Sequence, residues 1–337
     1  MNGYWKYLRK KFLWYLVTLF VAVLLNFMLP RLIPGNPVAT LVANATTGLT
    51  DAQAIKQIYD SYMVEFGLDK SGFEQFFIYL GKLFQGDMGL SFSEYPRSVS
   101  DIIGTAVPWT LRLQIPAIIV GWFLGNSLGA LAAYRKGIFD KVLFPVFLFI
   151  AAIPSFGLAM VLVHFLANQL HWFPGRLGYA FDMLIDWSSP AFWASVFNHY
   201  RLPFLTMVLV AIGGQSLGMR EMSIYELNAD YVKYSRLMGI KDSKIVWYVF
   251  RNAVLPQITG LALSLGTMIG GNLIAEIIFS YPGIGTTMLR AITTQDFPLI
   301  SGCTLIVTLT VLIANFLVDI LCGVIDPRIR LTQQEEE

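Results

Sequence analysis

The stretch Gly214-Gln215-Ser216-Leu217-Gly218 spells G-x-S-x-G, the pattern that presents a nucleophilic serine on a strand-to-helix elbow. Such a serine works only with a histidine to take its proton and an acid to orient that histidine. Neither is placed to serve Ser216, and the motif lies inside a continuous apolar run that reads as helix. We take it as a coincidence of spelling. His164, His171 and His199 form no i, i+4 metal pair, and no H-E-x-x-H occurs. His171 and His199 instead sit beside Trp172 and Tyr200, in the manner of interfacial residues. Cys303 and Cys322 lie in one apolar segment, about 28 Å apart if it is helical, which is beyond disulfide reach. The spelling G-x-x-x-x-G-K-[ST] is absent. With no P-loop, the chain itself is expected to bind no cofactor, and energy from nucleotide has to arrive through another subunit.

The elements that carry these residues are membrane helices. Of 337 residues, 55% are hydrophobic and 14% charged, against about 25% charged in a soluble domain. A net charge of +2 gives no footing for nucleic acid. Six runs reach the roughly 20 residues needed to cross a bilayer: Phe12 to Leu29, Leu113 to Ala133, Val142 to Leu166, Leu202 to Met219, Leu255 to Phe279 and Leu299 to Ile320. No small-x-small cleavage site follows the first, so it reads as an anchor. With the N-terminus inside, segments 1–11, 134–141, 220–254 and 326–337 hold fifteen of the 24 Lys and Arg residues, as the positive-inside rule requires. The expected fold is an all-α polytopic membrane protein with six transmembrane helices and both termini cytoplasmic. Its parts are an N-terminal segment and first helix (1–29), an extracytoplasmic insertion (30–112), a membrane core (113–325) containing a cytoplasmic loop (220–254), and a cytoplasmic tail (326–337).

Between the spans, Thr50-Asp51-Ala52-Gln53 fits a capping box. Ile55, Ile58, Tyr59, Tyr62, Met63 and Phe66 follow at helical spacing, with Gly67 as the stop. A second amphipathic run, Phe73 to Phe84, ends near Gly86. Both read as short helices on the outer mouth of the bundle. Gly121, Gly125 and Gly129, and again Gly266 and Gly270, have the spacing that lets membrane helices approach closely. Pro116, Pro145 and Pro154 free carbonyls that have to face protein or water. Two acids stand in apolar surroundings. Asp319 is expected to pair structurally with Arg328 or Arg330, while for Glu276 a gate or partner contact stands open beside a structural role.

One block departs from the oily pattern: ADYVKYSRLMGIKDSKIVWYVFRNAVLP, from Ala229 to Pro256. Leu227, Tyr231, Tyr234 and Met238 are spaced by four, three and four and so share a helical stripe. Gly239 ends that helix, and Asp242 or Ser243 starts another. A short helix with an aromatic face on the cytoplasmic side suits a hydrophobic groove on a partner, and with Lys233, Arg236 and Lys241 it also suits lipid headgroups.

This block resembles the cytoplasmic coupling loop of ABC importer permeases. Together with RLIPGNP, GDMGLSF, FSYPGIG and the terminal DPRIR, it resembles the B-type permease of the dipeptide/oligopeptide/nickel importers over nearly the whole chain. Lys233, Tyr234 and Ser235 stand where the wider family has Glu-Ala-Ala, and the gap from Gly239 to Pro256 is longer. The resemblance implies a type I importer fold in a bacterial or archaeal cytoplasmic membrane. It implies a second, C-type permease, two ABC ATPase subunits that hold ATP and Mg²⁺, and an extracytoplasmic substrate-binding protein. Leu227, Ala229, Asp230, Tyr231, Lys233, Tyr234, Arg236, Met238 and Gly239 would couple to the ATPase. Pro154, Ser155, Gln215, Asn272 and Glu276 would line or gate the pore. The cargo implied is an oligopeptide, a dipeptide or nickel, or an oligosaccharide. NFMLPRLIPGNPV and YELNADYVKYSRLMGI resemble the sugar branch, and Trp172, Trp187, Trp193 and His199 make an aromatic outer loop that sugar rings could stack on. The rival class, a secondary transporter, calls for inverted repeats and a midplane ion site, and neither is apparent.

Overall fold

The computed structural model describes residues 2–32, 42, 51–65, 69–135, 137–271 and 273–325. Among them every regular element is helical, apart from one antiparallel bridge between Leu90 and Ser98. In chain order the helices are α1 (Asn2–Leu32), α2 (Ala52–Glu65), α3 (Gly72–Phe84), α4 (Val99–Tyr134), α5 (Ile138–Ala152), α6 (Ser155–Leu162), α7 (Pro190–Leu227), α8 (Asp230–Leu237), α9 (Asp242–Gly271), α10 (Leu273–Ile278), α11 (Ile284–Thr293) and α12 (Phe297–Ile325). A π-helical turn, Val163–Gln169, continues α6.

The centre of the molecule is the pairing of α4 with α7, and its glycines explain it. A Cβ on Gly121 would stand 2.5 Å from that of Ala211, and one on Gly125 would stand 2.6 Å from that of Gln215. At Gly129 it would run into the Ser216 backbone. The contacts advance together along both helices, so α4 and α7 run parallel, with backbones as close as absent side chains permit. We call the end bearing Tyr134 and Leu227 the lower end, and the other the upper end. At 36 and 38 residues, these helices are about 54 and 57 Å long, well beyond the roughly 30 Å hydrocarbon core. Their ends are therefore free to build structure outside it.

Pro116 would leave the carbonyl of Arg112 without its helical donor. The Tyr200 hydroxyl of α7 donates to that carbonyl at 3.3 Å, so the freed group faces protein, as the sequence requires. A larger consequence follows from Pro154. It holds Ile153 in an extended conformation (ψ 126°), as a residue before proline prefers, and α5 and α6 meet at 102°. The span expected from Val142 to Leu166 is thus a bent pair. Among the described residues, Leu8–Met28, Val99–Tyr134, Pro190–Leu227 and Phe297–Leu317 are long and apolar enough to cross a membrane, and the bent pair adds a fifth if it forms one span. The run expected from Leu255 to Phe279 is helical in α9 and α10 on either side of Asn272, which lies outside the described residues.

Two further contacts set the edges. α1 lies along α12 through Asn26, whose side-chain amide donates to the Ser301 carbonyl at 2.6 Å. Asp319 completes that seam by accepting from Lys11 at 3.0 Å and from the Tyr15 hydroxyl at 2.8 Å. Among the described residues its partners are on α1, brought to it by helix packing; the expected Arg328 and Arg330 lie outside the described residues. Thr50, Phe66 and Gly67 also lie outside the described residues, and the Asp51 carboxylate accepts from Gln53 N–H at 2.9 Å at the start of α2.

Candidate functional site

At the lower end, α7 stops at Asn228 (φ −90°, ψ −5°) and Ala229 is extended. α8 therefore starts afresh at Asp230, where an acid in the first turn suits the helix dipole. Its C-terminus is a Schellman turn. Gly239 N–H donates to Arg236 O at 3.0 Å and Ile240 N–H to Ser235 O at 3.1 Å, with Gly239 at φ +73°, a conformation that glycine adopts without strain. Val232, Ile245 and Val249 form a small core with Leu227, Tyr231 and Ile240. The Tyr231 hydroxyl donates to Glu226 at 2.7 Å. Burial, with that hydrogen bond, raises the phenol above its ordinary pKa. Lys233 and Asp230 make an exposed pair at 3.0 Å, and Arg236 is exposed.

The expected stripe of Leu227, Tyr231, Tyr234 and Met238 is therefore divided. Leu227 and Tyr231 face the small core, while Tyr234 and Met238 stand 65% and 70% exposed, with Leu237 at 84%. The break at Asn228 and Ala229 takes Leu227 off the helical wheel of α8, a stop that Asn before Ala-Asp signalled, and Tyr231 in the first turn reaches back to Glu226. Leu237 lies about 60° round the helix from Tyr234, outside the stripe the spacing drew. Also missed was Arg220, whose guanidinium holds Asp140 at the head of α5 through two 2.7 Å hydrogen bonds and lies 4.4 Å over the Phe144 ring. This bidentate pair fixes the lower end of α7, and hence the base of α8.

Midway along α4 and α7, Asn126 donates to Trp122 O at 2.7 Å and to Gln215 Oε1 at 3.4 Å, and Trp122 Nε1 donates to Gln257 O at 2.8 Å. Gln215 thus belongs to a polar cluster joining α4 to α7, with α9 tied to it through Trp122. Ser216 is fully buried and its hydroxyl donates to Gly125 O at 3.0 Å, so it serves the helix seam. Pro154 is exposed at the bend, and Ser155 opens α6 beside it. The backbone of Ala151 lies against Gly213, two residues from Gln215.

The upper end is built around Glu276. Its side chain is fully buried and accepts from Gly285 N–H at 2.8 Å and from Gln114 Nε2 at 3.3 Å. Thr110 accepts from Ile284 N–H at 2.9 Å. The carboxyl group of Glu276 thereby shapes the turn Ser280-Tyr281-Pro282-Gly283, with Ser280 at φ +47°. Tyr281 packs edge-on to Trp109, which also stacks with Tyr179 and meets Trp187. Arg112 lies 5.0 Å over Trp187. A second buried acid, Asp296, accepts from the Ser91 and Ser93 hydroxyls, from Ser93 N–H at 2.9 Å and from Leu299 N–H at 3.1 Å. It caps α12 and ties segment 87–98 to it. Asp before Phe-Pro-Leu carries an N-cap signature, the signal that could have found it.

Among the described residues, these groups hold backbone and helix ends, and none forms a nucleophile, base and acid in sequence. Residues 125–331 match the family of binding-protein-dependent transport system inner membrane components. The chain belongs to this family. Its relatives match over nearly their whole length. A di/tripeptide transport system permease protein of Pseudomonas aeruginosa is 31% identical over 327 residues, covering 93% of this chain and 95% of its own. A dipeptide transport system permease protein of Lactococcus lactis is 28% identical, covering 97% and 99%. A glutathione transport system permease protein of Escherichia coli is 29% identical, covering 96% and 98%. The chain is thus a permease subunit of an ABC importer. It is non-catalytic, and ATP hydrolysis belongs to a partner ATPase that works with a substrate-binding protein. Membership in a binding-protein-dependent system displaces the secondary-transporter reading.

Proposed function

We propose that this permease forms half of a translocation pore for short peptides and passes ATP-driven motion to it through α8. The observation that carries the proposal is the exposed face of Tyr234, Leu237 and Met238 on a helix whose other side is fixed by buried Val232 and Ser235, with Tyr231 bound to Glu226 at its start. An apolar face projecting from a rigidly held base suits insertion into a groove. A base pinned by the Arg220–Asp140 pair suits transmission of force to α5 and α7. Ala229, Asp230, Lys233, Arg236 and Gly239 frame this face, and Leu227 and Tyr231 anchor it.

In this reading six segments cross the cytoplasmic membrane of a bacterium, with both termini inside. Residues 30–112 form an extracytoplasmic insertion, 220–254 the coupling loop, and 326–337 the tail. The working unit pairs this permease with a second, C-type permease, two ATPases holding ATP and Mg²⁺, and an external binding protein. Pro154, Ser155, Gln215 and Asn272 line or gate the path. Glu276 acts through the turn it shapes.

Peptide cargo is supported by the relatives, whose names specify di- and tripeptides, dipeptides and glutathione. They lend the oligosaccharide reading no specific support. The test is ATPase activity of the whole transporter in liposomes with its binding protein. Di- and tripeptides or glutathione should stimulate it, and cello-oligomers should not. The reverse pattern would overturn the cargo while leaving the permease assignment standing.

A further inference from the structure

Helix α3 has an apolar surface larger than its protein contacts use. Ser71 and Glu74 close a reciprocal capping box at its start, with Glu74 N–H donating to Ser71 Oγ at 3.4 Å and Ser71 N–H to Glu74 Oε2 at 3.3 Å. At 100° per residue its apolar positions other than Ile78 fill an arc of about 160°. One part of that arc, Phe76, Tyr79, Leu80 and Leu83, is half-buried. Phe76 and Tyr79 pack on Phe27 of α1, with ring centres 5.1 and 5.6 Å away. The adjoining part carries Phe73, Phe77 and Phe84, which are 74%, 56% and 89% exposed. Most of the opposite arc is polar, with Glu74, Gln75 and Lys82.

The depth of α3 is fixed by its contact. Phe27 is the penultimate residue of the apolar segment Leu8–Met28, so α3 is seated where the hydrocarbon core of the membrane ends. On α1 the side chains of Leu25 and Met28, within one turn of Phe27, are also exposed. We infer that α3 lies in the upper membrane interface, with Phe73, Phe77 and Phe84 inserted among lipid acyl chains and Glu74 and Lys82 turned to water. A continuous apolar arc, half seated on a membrane helix and half open at the height of the headgroups, is the pattern of an interfacial helix. Burial of three phenylalanines there would brace the upper end of α1 against the bilayer. The inference rests on membrane embedding, not on the cargo.

The test uses the complete transporter in native-lipid nanodiscs, with p-benzoyl-phenylalanine in place of Phe77 or, as control, of Lys82. After irradiation, mass spectrometry should find phospholipid adducts at position 77 in several-fold excess over position 82. Adducts to the second permease or to the binding protein at position 77 would overturn the inference and make this face a protein interface. Equal lipid labelling at both positions would overturn it too.

Discussion

Glu276 accepts a hydrogen bond from the backbone N–H of Gly285 at 2.8 Å, across nine residues that contain the whole upper turn. A buried acid here serves as a template for backbone, holding Gly283, Ile284 and Gly285 against α4. Glu276→Gln keeps one acceptor but brings an amide donor toward backbone donors, and should cost about 1–3 kcal/mol. Glu276→Ala should cost more. Thermal unfolding of the purified complex checks this, with the Ala variant melting below the Gln variant and both below the parent.

The seam between α4 and α7 makes a sharper prediction. Gly125→Ala would place a Cβ 2.6 Å from that of Gln215, and overpacking of this kind costs about 1–3 kcal/mol. Gly104→Ala, in the same helix with nothing within 4 Å of the new methyl, should be neutral or stabilising by up to about 1 kcal/mol. Size-exclusion profiles and melting temperatures of the two variants should differ in sign. Equal behaviour would refute the close approach.

Arg220 and Asp140 should behave as a unit. Arg220→Lys keeps the charge but loses the bidentate geometry and the contact over Phe144, and should retain only part of the coupling. Because both partners are partly exposed, a double-mutant cycle with Asp140→Asn should give about 1 kcal/mol, the upper part of the range for such pairs. The cycle is read from unfolding of the complex.

For α8 the two faces predict opposite phenotypes. Leu237→Asp leaves the fold intact, since the side chain touches little in this chain, and should lower transport at least about tenfold, the loss expected from about 1.4 kcal/mol of docking energy. Its melting temperature should match the parent. Val232→Asp places a charge in the small core with Ile245 and Val249 and should lower the melting temperature first. Transport and ATPase activity measured on the same preparations separate the two. Normal coupling in Leu237→Asp would remove α8 from the mechanism.

How far the sequence reaches is visible at particular residues. Gly121, Gly125 and Gly129 announced a close helix contact because that property belongs to the residues themselves, while the partner, Ala211 to Ser216, belongs to the fold. Pro154 announced a break, but its 102° angle depends on what α5 and α6 pack against. Asp319 was legible as an acid in an apolar run needing a cation, yet Lys11, some three hundred residues away, was beyond any local spacing rule. The coupling stripe failed at Leu227 because periodicity assumes one continuous helix, and Asn228 ends it.

The sequence by itself determined what each segment must do locally: which runs can enter a bilayer, where glycine and proline punctuate them, and that no nucleotide loop or catalytic set is present. The tertiary structure alone decided which polar groups meet. Glu276 with Gly285, Asp296 with Ser91 and Ser93, and Arg220 with Asp140 are pairings between separate elements. The physical reason is that apolar patterning acts through neighbours three or four residues apart, whereas a buried hydrogen bond depends on where whole helices come to rest.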